Sequence, residues 1–80
     1  MEINLLTFGI AREILGTHAL KLQVADAIKV EELKAALAEQ YPELKRLTSF
    51  MIAVNGRYAE AGEIIKPGDE VAIIPPVSGG

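Results

Sequence analysis

The sequence of 80 residues contains no cysteine, no tryptophan and one histidine. Without cysteine, the chain has no disulfide, no zinc–thiolate site and no side-chain thiol chemistry. The lone histidine, His18, follows Gly16-Thr17 and cannot form a cluster of histidine metal ligands, so we interpret it as a solvated loop residue. The sequence therefore predicts no metal site built from these residue types.

Positive charge and long hydrophobic runs are also scarce. Eight Lys and Arg against 11 Asp and Glu give a net charge of −3, whereas surfaces for nucleic acids or anionic membranes need clustered positive charge. Apolar stretches such as 71–76 are far too short to span a bilayer. Residues 1–5 lack the basic start and long apolar run of a signal peptide. We therefore expect a cytoplasmic location, without nucleic-acid or membrane partners.

The composition is that of one small globular domain, with 50% hydrophobic and 24% charged residues. A domain of this size buries only about 60% of the surface that its unfolded chain exposes. A deep enzyme pocket would reduce an already thin core. These quantities favour a small binding or carrier module over an enzyme that acts on its own.

The hydrophobic pattern predicts an α+β fold. Its clearest element is a helix in which Val30, Leu33, Leu37 and Tyr41 repeat at helical spacing. Asn55-Gly56 predicts a type I′ hairpin turn. The predicted order is a strand at 3–8, a short helix at 10–15 stopped by Gly16, a strand at 19–24 antiparallel to the first, the long helix from Val30 to Tyr41, strands at 50–54 and 57–59, a turn at 66–69 and a strand at 70–74. This order fits a β-grasp roll, a mixed sheet of about four to five strands packed on one main helix.

Further expectations concern the order of the strands and the two ends of the long helix. The first and last strands are apolar on both faces, so we expect them to lie side by side in the centre of the sheet. Lys29 occupies the N-cap position of the long helix but cannot accept a hydrogen bond as Ser or Thr would. Asp26 is a candidate to cap this helix from further back. Residues 43–47 are predicted to form a loose turn that packs Leu44 or Leu47.

The C-terminal segment departs from this pattern, and we divide the chain into a domain at 1–74 and an extended tail at 75–80. Pro75 and Pro76 cannot continue a strand ladder, and Gly79-Gly80 carries no side chain. One interpretation is a frayed end, as at many termini. The other is a tail that enters a narrow channel of a partner, where close backbone approach is needed. The final carboxylate is ionised at neutral pH, with an α-carboxyl pKa of roughly 3.3–3.7.

Four segments carry a resemblance to a known family. They are Phe-Gly-Ile-Ala-Arg-Glu-Ile-Leu-Gly at 8–16, Val-Asn-Gly at 54–56, Pro-Gly-Asp-Glu-Val-Ala at 67–72 and Pro-Pro-Val-Ser-Gly-Gly at 75–80. Together they resemble the small subunits of molybdopterin synthase, a family of ubiquitin-like sulfur carriers. The resemblance covers the chain from end to end.

The resemblance implies a carrier rather than a catalyst. In this family, an adenylyltransferase similar to ubiquitin-activating enzymes uses ATP and magnesium to adenylate the C-terminal glycine. A sulfur donor protein then supplies the sulfur of a C-terminal thiocarboxylate. The large, catalytic synthase subunit binds cyclic pyranopterin monophosphate, on which two sulfur transfers build the dithiolene of molybdopterin. A heterotetramer of two small and two large subunits, and no permanently bound cofactor, are implied.

Carried over to this sequence, the resemblance assigns Gly80 as the reacting group. It implies that the tail residues Pro75, Pro76, Val77, Ser78 and Gly79 thread into the partner. Phe8, Arg12 and Ile74 are candidates for docking the partner. Arg12 has the alternative of pairing with a surface carboxylate, and Phe8, Ile74 and Val77 have the alternative of being core. Asp69-Glu70 is interpreted as the end of a loop, not as a paired-carboxylate site.

Three other functions compete with this one. A sulfur carrier of the thiamine pathway would share the fold and the tail chemistry but serve a different acceptor; such chains tend to be shorter and to lack the Arg-Glu opening and the Pro-Pro-Val-Ser end. A ubiquitin-like modifier would join its diglycine to lysines of other proteins. A plain interaction domain would have an inert tail.

Overall fold

The computed structural model describes residues 1–46 and 50–75. Within these ranges the predicted order of strands and α-helices is confirmed, and predicted ends differ from observed ones by at most one residue. The strands are β1 (Glu2–Thr7), β2 (Ala19–Gln23), β3 (Met51–Val54), β4 (Arg57–Tyr58) and β5 (Val71–Ile74). The helices are α1 (Gly9–Leu15), α2 (Val30–Gln40) and a 3₁₀ helix at Pro42–Arg46. In the same ranges, no helix has the length and apolar character needed to cross a membrane.

The five strands form one mixed sheet in the order β2-β1-β5-β3-β4. β1 and β5 pair in parallel at its centre, and the other neighbours are antiparallel. The prediction that the first and last strands lie side by side is therefore confirmed. β5 is buried on both faces, but β1 exposes Glu2 and Asn4. The two-sided burial expected for β1 was wrong there, because these side chains point away from the core to the uncovered face of the sheet.

The core lies between one face of the sheet and α2. Val30, Leu33 and Leu37 form the buried stripe of α2, at the predicted spacing. Tyr41, the fourth member of the predicted stripe, follows the helix as its C-cap and is half-buried, because the helix ends at Gln40 before Pro42. Fully burying one such side chain contributes about 1.5–3 kcal/mol. The sheet contributes to the same cluster the alternate residues of its central strands: Ile3, Leu5, Ile52, Val54, Val71 and Ile73.

The start of α2 is capped by backbone groups distant in sequence. The Val30 and Glu31 N–H groups donate to the carbonyls of Glu63 and Ala61 at 2.9 and 3.0 Å, so two of the donors that a helix start leaves free are satisfied. The Lys29 N–H donates to Glu32 Oε1 at 2.9 Å. Asp26, a candidate cap from the sequence, instead accepts from the N-terminal amine at 3.1 Å.

The predicted turns are confirmed by their backbone angles. Gly16 ends α1 at φ 72°. Asn55 and Gly56 have φ values of 53° and 82°, as a type I′ turn requires. Gly68 has φ 87°, and the Asp69 N–H donates to the Lys66 carbonyl at 3.1 Å. Of the two leucines predicted to pack after α2, Leu44 is buried and Leu47 lies outside the described residues.

Candidate functional site

The C-terminal tail begins at the end of the central strand pair. Thr7 of β1 is in register with Ile73 of β5, and the two strands run parallel. Both therefore end at the same edge of the sheet, where β1 leads into α1 and β5 leads into Pro75. Pro75 is half-buried. The predictions for Pro76–Gly80 lie outside the described residues and remain predictions.

The sheet face opposite α2 carries a row of small and apolar side chains. Leu6, Ala72, Ala53 and Tyr58 are register partners across four adjacent strands. Side chains directly opposite one another in a sheet project from the same face. Because the neighbouring residues Val71, Ile73, Ile52 and Val54 belong to the core, this row faces away from it.

An exposed apolar surface surrounds Ala72 on that face. Phe8, Met51 and Tyr58 have exposed fractions of 43%, 46% and 58%, and Ile74 pairs with Met51. A shallow open groove of about 350 Å³ runs between Phe8 and Tyr58, with Arg57 and Glu70 on its rim. Exposed apolar patches with polar rims are typical of protein-binding surfaces. The name outer patch is used below for Phe8, Met51, Ala53, Tyr58, Ala72 and Ile74.

The structure places two of the three predicted docking residues in this patch. Phe8 and Ile74 both line the groove, so the alternative that they belong to the core is wrong. The reason is that the core takes the alternate residues Thr7 and Ile73, which have no exposed surface. Their docking role stays a prediction. The third candidate lies apart from them on α1.

Arg12 is exposed on α1, one turn after Phe8. The Phe8 carbonyl accepts hydrogen bonds from the backbone N–H groups of Ala11 and Arg12 at 3.1 and 3.4 Å. Among the residues that the structure describes, no carboxylate forms a salt bridge with the Arg12 guanidinium. The alternative of a structural ion pair finds no support there, and Arg12 remains a candidate for docking.

The rim of the outer patch is fixed by an ion pair that the sequence did not reveal. Arg57 Nη1 and Nη2 donate to the two carboxylate oxygens of Glu63 at 2.8 and 2.6 Å. These hydrogen bonds and the positive charge lower the pKa of Glu63, and the same pairing raises the pKa of Arg57. Because the Glu63 carbonyl also caps α2, the pair connects the patch rim to the main helix.

Asp69 and Glu70 close a loop, as interpreted from the sequence. The Asp69 carboxylate accepts from the Lys66 N–H at 2.8 Å and from Asn55 Nδ2 at 3.0 Å. These two hydrogen bonds, the backbone one first, lower the pKa of Asp69. The Glu70 N–H donates to Asn55 Oδ1 at 2.9 Å. The two acidic residues thus bind the hairpin turn, and they do not face each other as an acid–base pair.

Comparison with known proteins assigns this chain to a family. The sequence pattern of the ThiS family matches residues 5–80. The chain belongs to the ThiS family. It is 36% identical to the molybdopterin synthase sulfur carrier subunit of Chlamydomonas reinhardtii, over 100% of both chains. It is 34% identical to the human protein of the same name, over 99% of this chain and 94% of the human one. The resemblance given by the sequence motifs is therefore confirmed.

Solved structures similar to this ThiS-family chain share its ubiquitin-like β-grasp fold. SAMP1 of Haloferax volcanii, a small archaeal modifier protein, has a TM-score of 0.82 and 28% identity, with 100% of both chains covered. The complex of subunits 1 and 2 of the molybdopterin-converting factor from Helicobacter pylori contains a chain with a TM-score of 0.69 and 27% identity, again over 100% of both chains.

Sequence reasoning missed several members of the outer patch in this ThiS-family chain, namely Met51, Ala53, Tyr58 and Ala72. The alternation at 51–54 identifies two faces of a strand, but only the sheet order shows which neighbours share the outward face. The patch offers apolar contacts with one charge of each sign on its rim, which suits a protein surface. Within residues 1–46 and 50–75, no three His, Asp or Glu side chains are grouped to hold a metal ion.

Proposed function

We propose that this protein is the sulfur carrier subunit of a molybdopterin synthase, with Gly80 as the group that carries the sulfur. The observation that carries the proposal is the similarity to the algal carrier subunit over the full length of both chains. Two features of the fold support it. The tail begins at the end of a central strand that is paired on both sides, and the outer patch starts beside it at Phe8 and Ile74.

The proposed chemistry takes place on the main-chain carboxylate. An ionised carboxylate is a poor electrophile, so the activating adenylyltransferase uses ATP and magnesium to convert the Gly80 carboxylate into an acyl-adenylate. Sulfur delivered by a donor protein at the oxidation level of hydrosulfide attacks the acyl carbon; the new C–S bond replaces the C–O bond to AMP, AMP leaves, and the thiocarboxylate results. The anionic sulfur of this group is the nucleophile that attacks the pyranopterin precursor, since deprotonated sulfur is the reactive form. Water then cleaves the acyl C–S bond of the resulting thioester, so the sulfur stays on the precursor and Gly80 returns as a carboxylate that can be adenylated again.

The proposal divides the work between two subunits. This chain supplies Gly80, the side-chain-free passage at Gly79 and the segment 75–78. The large subunit supplies the acid–base and precursor-binding groups, so this chain is not an enzyme on its own and holds no permanent cofactor. The outer patch and Arg12 dock that subunit, in a heterotetramer of two small and two large subunits. A cytoplasmic location belongs to the same proposal, because activation needs access to ATP.

Intact mass spectrometry tests the central step. The chain is incubated with its adenylyltransferase, ATP, magnesium and a sulfur donor, and we expect a mass gain equal to sulfur minus oxygen. A chain lacking Gly80 is the matched control and gains nothing. An unchanged mass of the wild-type chain would overturn the proposal. Adding the large subunit and cyclic pyranopterin monophosphate then distinguishes molybdopterin formation from supply of the thiamine pathway, whose acceptor differs.

A second candidate function is conjugation to other proteins. It is favoured by the structural similarity to the small archaeal modifier protein of Haloferax volcanii. Conjugation would use the same activated Gly80 but transfer it to the amino group of a lysine. Lysine-linked adducts in the mass spectrum after incubation with ATP and cell extract would support this function. Their absence, with thiocarboxylate present, would leave the carrier function alone.

A further inference from the structure

The base of the tail rests against a residue without a side chain. Since Thr7 pairs with Ile73 in parallel register, β1 and β5 end at the same edge of the sheet, where Phe8-Gly9 follows β1 and Pro75 follows Ile74, the last residue of β5. Pro75 cannot extend the ladder because it has no N–H group. Its ring instead lies over Gly9, the first residue of α1.

Gly9 is suited to this place by its conformation and by its size. Its φ is +55°, in the left-handed region. A Cβ atom built on Gly9 would lie 3.3 Å from Pro75 Cγ, closer than ordinary van der Waals contact. One carbon atom can be accommodated by a small shift of the ring. A longer side chain leaving Cβ in that direction has to compete with Pro75 for the same space.

Gly16, at the other end of α1, allows the effect of backbone conformation to be distinguished from the effect of contact with Pro75. Its φ is +72°, so it has the same conformational requirement as Gly9. A Cβ atom on Gly16 would meet nothing within 4 Å. Equal substitutions at the two glycines therefore impose a similar backbone strain, and only those at Gly9 act on Pro75.

We propose that Gly9 is a positioning residue for sulfur transfer: the empty space above it seats Pro75 and sets the direction in which the tail leaves the sheet. This inference rests on the proposed function, in which the tail delivers Gly80 to the large subunit. Gly80 is five residues beyond Pro75, about 15 Å if the segment is extended. A small change of direction at Pro75 therefore displaces Gly80 by a larger distance. A misplacement of about 1 Å at a reacting centre can cost about 100-fold in rate.

The test compares a graded series at the two glycines. Gly9→Ala, Gly9→Asn and Gly9→Leu are matched by the same changes at Gly16; Asn tolerates the left-handed conformation and so keeps the fold intact. Thiocarboxylated variants are mixed with saturating large subunit and precursor, and single-turnover transfer is measured beside thermal unfolding. We expect little change for Gly9→Ala and a loss of about tenfold or more for Gly9→Asn. Gly16→Asn should transfer like wild type.

A rescue separates positioning from general damage. Pro75→Ala removes Cγ, and the double variant Gly9→Asn/Pro75→Ala should transfer faster than Gly9→Asn. Equal rates for Gly9→Asn and Gly16→Asn, or no rescue, would overturn the inference.

A second measurement needs no sulfur chemistry. Proton NMR of the free wild-type protein should show a nuclear Overhauser effect between Gly9 Hα and the Pro75 ring, and Gly9→Asn should lose it. If wild type accepts no sulfur, the proposed function fails. This signal tests the Gly9–Pro75 contact independently of sulfur transfer. Its absence in wild type would contradict that contact and with it the inference.

Discussion

The side-chain amide of Asn55 donates a hydrogen bond to the carboxylate of Asp69 at 3.0 Å. Asn55 also accepts from the Glu70 N–H through Oδ1 at 2.9 Å, and its own backbone N–H donates to the Glu70 carbonyl at 2.8 Å. One residue of the β3–β4 turn thereby holds the turn that precedes β5. These hydrogen bonds hold β3 and β5, two antiparallel strands that carry part of the outer patch, in place at the end where Val54 pairs with Val71.

Replacing Asn55 by alanine should destabilise the fold by about 1–3 kcal/mol. The change removes two side-chain hydrogen bonds, each worth about 1 kcal/mol, and it places alanine, which adopts the left-handed region less readily than asparagine, at φ 53°. Urea unfolding measures the loss. Asn4→Ala is the control, because Asn4 is exposed on β1. Equal stability of the two variants would show that the Asn55 bridge contributes nothing.

Stability should fall as the pH is lowered through the carboxyl range. The pKa values of Glu63 and Asp69 are both lowered in the folded protein, by Arg57 and by the Lys66 N–H respectively. A carboxylate with a depressed pKa stabilises the fold above its unfolded pKa, about 4 for these side chains, and that contribution is lost as the pH falls through the folded value.

Glu63→Gln isolates the ion-pair contribution to this acid sensitivity. At pH 7 we expect the variant to melt below wild type, since Arg57 loses its charged partner. The advantage of wild type shrinks once the pH falls below the unfolded pKa, and the two melting temperatures should converge when the pH has fallen through the lowered pKa of folded Glu63, where its side chain is neutral like that of glutamine. Glu13→Gln, a change at an exposed position on α1, serves as control. A gap between wild type and Glu63→Gln that stays constant down to low pH would contradict the assignment to this pair.

The features that were predicted from the sequence depend on residues close together in the chain, whereas those that were missed depend on residues far apart in it. The turns at Asn55-Gly56 and at Gly68, and the buried stripe of α2, are set by neighbouring residues, and each was predicted. The cap of α2 comes from Ala61 and Glu63, about thirty residues away, so no local signal exists for it. Tyr58 joins the outer patch only because β3 and β5 are neighbours, a relationship that hydrophobic alternation does not contain.

Ala27 provides a test of backbone strain. It lies in the turn before α2 with φ 59°, a conformation that costs a residue with a Cβ roughly 1–2 kcal/mol. Ala27→Gly removes this cost but adds about 0.5–1 kcal/mol of unfolded-state entropy, so we expect a gain of up to about 1.5 kcal/mol. Ala36→Gly, on the exposed face of α2, should lose about 1 kcal/mol instead. If chemical denaturation shows both variants equally destabilised, Ala27 is not strained.

The outer patch can be tested by adding one charge. Ile74→Glu places a carboxylate in the groove, and burying it unpaired against the large subunit should weaken binding by about 2 kcal/mol or more, roughly 30-fold. Calorimetric titration of the large subunit measures the affinity. Ala36→Glu adds the same charge on the exposed face of α2 and should bind like wild type. Unchanged affinity of Ile74→Glu would remove this residue from the docking surface.

The tail chemistry can be separated from the fold by two changes at the C-terminus. Deleting Gly80 should abolish adenylation and leave the melting curve unchanged, because the terminal carboxylate then belongs to Gly79, one residue short of the reacting position, and no core residue is touched. Gly79→Val should block sulfur transfer without unfolding the domain, since a branched side chain stands where close backbone approach is needed. Gly62→Val is the matched control: a Cβ on Gly62 meets nothing within 4 Å. Ordering the tail costs roughly 1–2 kcal/mol per residue, a cost that the Pro75-Pro76 pair lowers by restricting the free chain. Normal single-turnover transfer by Gly79→Val would show that the tail does not enter a narrow channel.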